Sequence, residues 1–285
     1  MKKVLVIGAG IMGAGIAQVA AEAGSTVVLK EVSDDLLRRG MGTIEKSLGK
    51  AVAKGTVTPE RKAAILGNIQ GTVSSDDFRR EAQDADLVIE AVAENMDTKR
   101  GLFHELDAIC PAKTIFGTNT SALSITELAV STQRADRFIG LHFFNPATVM
   151  ELVEVITGQN TSAETLEKSM EFVRSIGKVP VRVVEAAAFI VPRLLVPMVN
   201  EAAFMVQEGV ASAEDIDTAM RLGANHPLGP LALADLIGLD VCLSVMETLQ
   251  RETGDPKYRP CPVLRKLVRA GALGRKTGRG FYSYE

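Results

Sequence analysis

The feature that most constrains this chain is the run Gly8-Ala9-Gly10-Ile11-Met12-Gly13, set directly between a short apolar stretch, Lys3 to Ile7, and a small-residue helical stretch, Ile11 to Ala23. The spacing is G-x-G-x-x-G. Its first glycine permits a tight turn, its second lets the backbone approach a pyrophosphate, and its third lets the helix pack closely on the strand. The start of the helix then offers free N–H groups and the positive end of its dipole to phosphates. A second apolar stretch, Thr26 to Glu31, ends in an acid 18 residues after Gly13, where the fingerprint expects a carboxylate for a ribose 2′-hydroxyl. Glu31 would repel a 2′-phosphate and accept hydrogen bonds from a free diol, which favours NAD over NADP; the adjacent Lys30 makes this a leaning and not an exclusion. Gly8, Gly10, Ile11, Met12, Gly13 and Glu31 are therefore the candidate cofactor-binding residues.

Short apolar runs and helical stretches continue to alternate after this motif. Candidate strands are Leu87 to Ala91, Thr114 to Thr118, Phe138 to His142, Glu151 to Ile156 and Val179 to Val184, and candidate helices include Asp34 to Lys54, Pro59 to Leu66 and Thr98 to Ile109. This order predicts an α/β, doubly wound, mostly parallel sheet of the Rossmann type, covered on both faces. Beyond Val184 the spacing turns helical, over Phe189 to Gln207, Ala213 to Leu222, Leu231 to Thr253 and Pro262 to Ala270, with a strand only in the tail, Phe281 to Tyr284. A length of 285 residues also suggests two domains. The boundary falls near Glu185, giving a cofactor-binding domain over 1–185 and an all-helical substrate and dimerisation domain over 186–285. Long apolar helices in so small a domain complete their core against a partner, so a homodimer is expected, with a self-contained bundle as the alternative.

Charge and cysteine usage exclude other classes. With 32 basic and 35 acidic side chains, no Trp and 5% aromatic residues, the chain has neither the basic surface nor the stacking platforms of a nucleic-acid binder. Three cysteines at wide spacing, Cys110, Cys242 and Cys261, read as reduced thiols of a cytoplasmic protein and not as bridges or metal ligands. Lys2 and Lys3 precede an uncharged run from Val4 to Ala21 that superficially resembles a signal peptide, but its four glycines and its β-branched Val4-Leu5-Val6-Ile7 read as strand and helix. No other stretch is long enough to span a bilayer.

Hydride transfer from an alcohol needs a base for the hydroxyl proton, and histidine is the natural candidate near neutral pH. Of three, His104 falls in a charged helix and His226 in a loop between helices, whereas His142 ends a strand, at the sheet edge where ligands of open α/β folds lie. An orienting carboxylate is expected beside it. Glu151 and Glu154 are both near. Glu154, between Val153 and Val155, is preferred because an acid inside an apolar run needs a buried partner, unless it faces outward on a half-exposed strand.

The glycine motif, Glu90 to Asn95, Thr118-Asn119-Thr120-Ser121, His142-Phe143-Phe144-Asn145-Pro146, Met150 to Val155 and Asn225 to Pro230 together resemble the L-3-hydroxyacyl-CoA dehydrogenase family, in its bacterial short-chain form. The resemblance implies NAD-dependent interconversion of a (3S)-hydroxyacyl-CoA, such as 3-hydroxybutyryl-CoA, and its 3-oxoacyl-CoA. It makes His142 the general base, Glu154 its orienting carboxylate and Ser121 the donor to the C3 oxygen of the substrate, close to the nicotinamide. It also implies that Glu94, Lys99, Asn145 and Lys276 lie near the cofactor and that Lys50 and Lys54 bind CoA phosphate, although those two lysines also suit an ordinary solvated helix face.

One place departs from the family pattern. Where a Pro-Gly pair is usual the chain has Ala187-Ala188, and where an asparagine approaches the substrate it has Pro192, which carries no side-chain hydrogen-bonding group. The two alanines are expected to extend helical propensity backwards and Pro192 to oppose a continuous helix. Two alternative readings stay open: a related β-hydroxyacid dehydrogenase acting on a free acid, since Lys50 and Lys54 favour CoA without settling it, and, because of Pro192, an engineered variant with impaired catalysis.

Overall fold

The structure, a computed structural model, describes residues 1–284, which form two compact units, the first Met1–Glu185 and the second beginning at Ala186. The first unit contains β1 (Lys3–Ile7), α1 (Ile11–Glu22), β2 (Thr26–Lys30), α2 (Asp34–Ala53), α3 (Pro59–Gly67), β3 (Ile69–Thr72), α4 (Ser75–Ala82) and β4 (Leu87–Glu90). It continues with α5 (Met96–Ile109), β5 (Ile115–Thr118), α6 (Ile125–Ala129), β6 (Phe138–Phe143), β7 (Leu152–Thr157), α7 (Ala163–Ser175) and β8 (Val179–Val184). The strands make one eight-stranded sheet in the order β3-β2-β1-β4-β5-β6-β7-β8, in which only β6 and β7 run antiparallel to each other. The alternation predicts this class, and the sheet has it.

Strands covered on both faces read as continuous apolar runs. Val4 to Ile7 and Leu87 to Ile89 are all buried accordingly, and Phe103, Phe116 and Phe138 pack ring to ring between α5 and the sheet. The strand order reverses between β1 and β4, so a crevice opens at their carboxyl ends, and the glycine loop runs into it. Sequence reading missed β3, α4, α6 and α7. Each of these helices is short or charged, and each is started by a serine whose side chain accepts from a backbone N–H: Ser74, Ser124 and Ser162. Such a cap contributes about 1 kcal/mol.

The second unit is helical: α8 (Val191–Glu208), α9 (Ala213–Gly223), α10 (Pro230–Ile237), α11 (Leu239–Thr253) and α12 (Pro262–Arg269). Its core lies between α8, α10, α11 and α12, around Val199, Leu231, Cys242, Met246, Leu249 and Leu264. Four expectations are corrected here. The stretch Leu231 to Thr253 is two helices, because Gly238 adopts φ 106° and ends the first before the second begins. The tail over Phe281 to Tyr284 is no strand; Arg279 and Ser283 share only an isolated bridge, and the backbone N–H groups of Phe281 and Tyr282 donate to Asp235.

The other two corrections concern the departures from the family pattern. Ala187 and Ala188 do not extend α8 backwards: Ala188 and Phe189 have φ 58° and 52°, the left-handed region that interrupts a helix. That conformation costs a residue other than glycine about 1–2 kcal/mol. Pro192 does not oppose α8 either. It lies in the first turn, where the missing N–H would have no helical partner, and α8 also runs through Pro197.

Candidate active site

Three glycines shape the loop after β1. Gly8 has φ 96°, and a Cβ there would lie 2.6 Å from the carbonyl oxygen of Ala91; a Cβ on Gly13 would lie 1.8 Å from the carbonyl oxygen of Gly8. Both positions are closed against the protein itself. Gly10 is different, because a Cβ there would meet nothing within 4 Å, so the smallness of that residue answers no contact inside the chain. A fourth glycine, Gly40 of α2, lets that helix pass against Ala9, where a Cβ would be 2.5 Å from the carbonyl oxygen. The sequence signal for it was a glycine inside an otherwise strong helical pattern.

The helix starts sharpen the contrast. In the first unit α2 to α7 are each capped by the side chain of Ser33, Thr58, Ser74, Asn95, Ser124 or Ser162, whereas α1 starts at Gly10 with no side-chain cap. Its N-terminal N–H groups are open to an anion on the side where Gly10 leaves space, which is the arrangement a dinucleotide pyrophosphate requires. Ile11, 70% exposed, and Met12 follow on the same turn.

Glu31 borders the same place. Its Oε2 accepts from the N–H of Ala9 at 2.8 Å and its Oε1 from the N–H of Val32 at 2.7 Å, which ties the acid to the glycine loop. The neighbouring Lys30 turns its ammonium to the carbonyls of Glu31 and Val73, at 2.8 and 2.7 Å, and burial pushes it below the usual lysine range. A cleft of about 340 Å³ adjoins Gly8 and Glu31, walled by Phe78, Val92, Leu102 and Leu106, with Arg79 among its lining residues. The α4 members were not anticipated, since that helix was missed. Apolar walls, a carboxylate at the rim and a bare helix terminus fit a dinucleotide such as NAD.

At the carboxyl ends of β4, β5 and β6 lies a second cluster. His142 and Glu154 are directly opposite each other in the antiparallel β6–β7 pair, and the register brings their side chains together on one face. Glu154 Oε2 is 2.7 Å from His142 Nδ1, and Ser121 Oγ is 3.2 Å from His142 Nε2. Both partners of the pair are withdrawn from water, with side chains 6% and 0% exposed, and the Phe144 ring lies 4.5 Å from the imidazole. Glu154 is thus the inward-facing acid, and Glu151 is exposed. With a carboxylate accepting at Nδ1, the ring proton is assigned to that nitrogen, leaving the Nε2 lone pair toward Ser121.

Ser121 is itself held. The Glu94 carboxylate accepts from the N–H of Ser121 at 2.9 Å and from the Thr120 hydroxyl, and Glu94 Oε2 lies 3.2 Å from Lys99 Nζ. Lys99 is fully buried and bridges to Glu90, also fully buried, at 2.8 and 2.9 Å. Glu90 additionally accepts from the Thr118 hydroxyl at 2.6 Å and the N–H of Val92 at 2.7 Å. Burial pushes the Glu90 carboxyl above the usual carboxylate range, against the pull of the Lys99 ammonium and these donors. Glu90 was part of a quoted motif, yet its site role went unread because it closes an apolar strand.

The remaining expected site residues are more dispersed. Asn145 is exposed and joined to Pro146 by a cis peptide bond. Lys50, on the last turn of α2, and Lys54, at its end, are solvent-exposed, as is His104 on α5. In the second unit, Lys276 forms an ion pair with Asp240 at 2.6 and 2.7 Å beside Gly238, and Pro192 is half-buried in the first turn of α8. Among the described residues no group of three or more His, Cys, Asp or Glu side chains is placed to hold a metal ion, and no helix is long and apolar enough to cross a membrane.

Comparison with known proteins matches residues 3–186 to the 3-hydroxyacyl-CoA dehydrogenase NAD binding domain and residues 189–284 to the C-terminal domain of the same family. A 3-hydroxybutyryl-CoA dehydrogenase of Bradyrhizobium diazoefficiens is 52% identical over 284 residues, covering 100% of this chain and 96% of the relative. The human mitochondrial hydroxyacyl-coenzyme A dehydrogenase is 45% identical over 289 residues, covering 100% and 92%. Among solved structures, the (S)-3-hydroxybutyryl-CoA dehydrogenase of Ralstonia eutropha is similar with a TM-score of 0.95 at 48% identity, covering 100% of this chain and 99% of that one. With both of its halves matched in their proper order, the chain belongs to the 3-hydroxyacyl-CoA dehydrogenase family and is an NAD-dependent oxidoreductase.

Proposed function

We propose that the protein interconverts a short-chain (3S)-3-hydroxyacyl-CoA and its 3-oxoacyl-CoA, with 3-hydroxybutyryl-CoA and acetoacetyl-CoA as the substrate pair, His142 as general base and Glu154 as its orienting carboxylate. The observation that carries this reading is the hydrogen-bonded line from Ser121 through His142 to Glu154, at the carboxyl edge of the sheet that also bears the glycine loop. The relatives of the same length that act on 3-hydroxybutyryl-CoA support the choice of chain length.

NAD, bound at the glycine loop, supplies the hydride acceptor for C3 of the hydroxyacyl group. Gly10 and the uncapped start of α1 take the pyrophosphate, and Glu31 takes the ribose diol. In the oxidative direction His142 Nε2 removes the proton of the C3 hydroxyl, and Glu154 stabilises the imidazolium through Nδ1–H. Ser121 donates to the C3 oxygen, which matters most in reduction, where negative charge develops on that atom. In reduction the His142 imidazolium, protonated from solvent, gives its proton to this oxygen; in oxidation the proton it has taken passes on to solvent. Glu94 acts on this step through Ser121, whose N–H it fixes.

The residues further from this line enter as parts of the same reading. Asn145, Lys99 and Lys276 serve the cofactor, Lys50 and Lys54 the phosphates of CoA, and Pro192 the substrate side of the C-terminal domain. That domain, from Ala186, mediates a homodimer, a role supported by exposed Leu194, Leu222 and Leu236 on its helices. Three buried unpaired thiols fit the reducing conditions of the cytoplasm.

The test is the absorbance of NADH during incubation with acetoacetyl-CoA and, separately, with free acetoacetate. Oxidation with the thioester alone is expected. Equal rates with the free acid would point to a β-hydroxyacid dehydrogenase instead, and binding of NADH without turnover would remove the catalytic reading.

A further inference from the structure

The buried ion pair between Glu90 and Lys99 is not part of the proton path, yet its contacts reach both ends of it. Lys99 is on the first turns of α5, and helical side chains lean toward the N-terminus of their helix, here back over the end of β4 where Glu90 stands. From that point the ammonium reaches two further groups: Glu94 Oε2 at 3.2 Å and the carbonyl oxygen of Asn119 at 3.4 Å. Glu94 fixes the N–H of Ser121. Asn119 uses its side-chain oxygen to accept the N–H of Phe143, the residue after His142, at 2.9 Å. Thr118, at the end of β5, closes the network by donating to Glu90.

We propose that Glu90 is a positioning residue for the reaction: by holding the Lys99 ammonium between two carboxylates and the Asn119 carbonyl, it fixes the spacing of Ser121 and His142. The inference rests on the proposed roles of those two side chains. Its physical basis is that the carboxyl ends of β4, β5 and β6 carry the reacting groups but end in loops, whose positions are not set by sheet hydrogen bonds. A buried charged centre with every partner engaged is stiff, because any displacement leaves a charge unpaired in a medium of low dielectric. The sheet alone fixes His142 against Glu154, through their register. Nothing in the sheet fixes Ser121 against His142; that distance is bridged by Glu94, Lys99, Asn119 and Glu90.

The test compares the wild type with Glu90→Gln and with the double variant Glu90→Leu/Lys99→Met, which removes both charges and so avoids an unpaired buried ammonium. In Glu90→Gln, kcat for reduction of acetoacetyl-CoA is expected to fall by about 10- to 100-fold, the loss associated with misplacement of reacting groups by about 1 Å. The NADH dissociation constant, read from cofactor fluorescence, is expected to stay within about threefold, because Gly10 and Glu31, which carry the proposed pyrophosphate and ribose contacts, make no contact with Glu90. Amide hydrogen exchange is expected to accelerate in peptides covering 119–123 and 143–146 while the outer strands β2 and β3 keep their protection. In the double variant the same two peptides are expected to exchange faster at a near wild-type melting temperature.

Three results would overturn the proposal: unchanged kcat in Glu90→Gln, exchange that accelerates uniformly across the sheet, or full recovery of kcat in the double variant. If Glu90→Gln does not fold, hydrogen exchange in the double variant decides: acceleration confined to 119–123 and 143–146 supports the proposal, and unchanged or uniformly faster exchange overturns it. Failure of the wild type to turn over acetoacetyl-CoA would instead count against the proposed function, and the exchange experiment would still report whether Glu90 holds the loops.

Discussion

The same substitution, glycine to alanine, is expected to have opposite consequences at two positions three residues apart. At Gly13 the added methyl carbon would start 1.8 Å from the carbonyl oxygen of Gly8, so α1 and the β1 loop must separate by more than an ångström to accept it. Forcing an atom into a packed junction costs about 1–3 kcal/mol or more. At about 2–4 °C per kcal/mol for a unit of this size, the melting temperature falls by roughly 2–12 °C. At Gly10 the backbone is already extended, with φ −64° and ψ −174°, and no protein atom lies within 4 Å of the new methyl group. Alanine gains about 0.4–1 kcal/mol by restricting the unfolded chain and loses a similar amount as a poor N-cap, so the melting temperature stays within about 3 °C. The methyl group stands in the approach to the uncapped α1 terminus, and NADH affinity falls by about tenfold or more, equivalent to roughly 1.4 kcal/mol. Differential scanning fluorimetry and NADH fluorescence titration measure the two effects separately. Unimpaired NADH binding by Gly10→Ala, or unchanged stability of Gly13→Ala, would refute the assignment of one glycine to ligand access and the other to helix packing.

Other expectations follow from the site and the buried thiols. His142→Gln and Glu154→Gln each lower kcat by about 10²- to 10⁴-fold, the range of a general base, with melting curves and NADH titrations near wild type; comparable turnover in either would remove that residue from the proton path. Burial pushes the Cys110 and Cys242 thiols up to about 12, so at pH 8 both are protonated and unreactive toward a thiol reagent until the protein is denatured; rapid native labelling of either would contradict it. Lys50→Glu/Lys54→Glu is expected to raise KM for acetoacetyl-CoA several-fold without changing KM for NADH, with the effect shrinking in high salt; an unchanged KM would return these lysines to an ordinary solvated face.

What could be read from the sequence divides by the range of the interactions involved. The glycine loop is a local object: turn, helix start and close approach lie within Gly8 to Gly13, so residue type and spacing suffice to describe it. Glu31 is nearly as local, one βα unit further on. The pairing of His142 with Glu154 is less so, yet both ends of it were legible because an acid between two valines needs a buried partner and the only nearby histidine ends the neighbouring strand. Glu90 illustrates the limit. Its three partners are Val92 in the loop that follows, Lys99 on the next helix and Thr118 at the end of the strand that the sheet order brings alongside, and nothing about an acid at the end of Leu87 to Glu90 distinguishes it from a solvated strand terminus. The errors in the helical domain have the opposite cause. Propensity predicts helix through Ala187 and Ala188 and across Gly238, but propensity differences are at most about 1 kcal/mol per residue, and tertiary packing overrides them. Ala188 is completely buried in the core of the second unit, and that burial holds it at φ 58° despite the cost to alanine. The turn before α8 is therefore dictated by packing rather than by the helical propensity of the residues that occupy it.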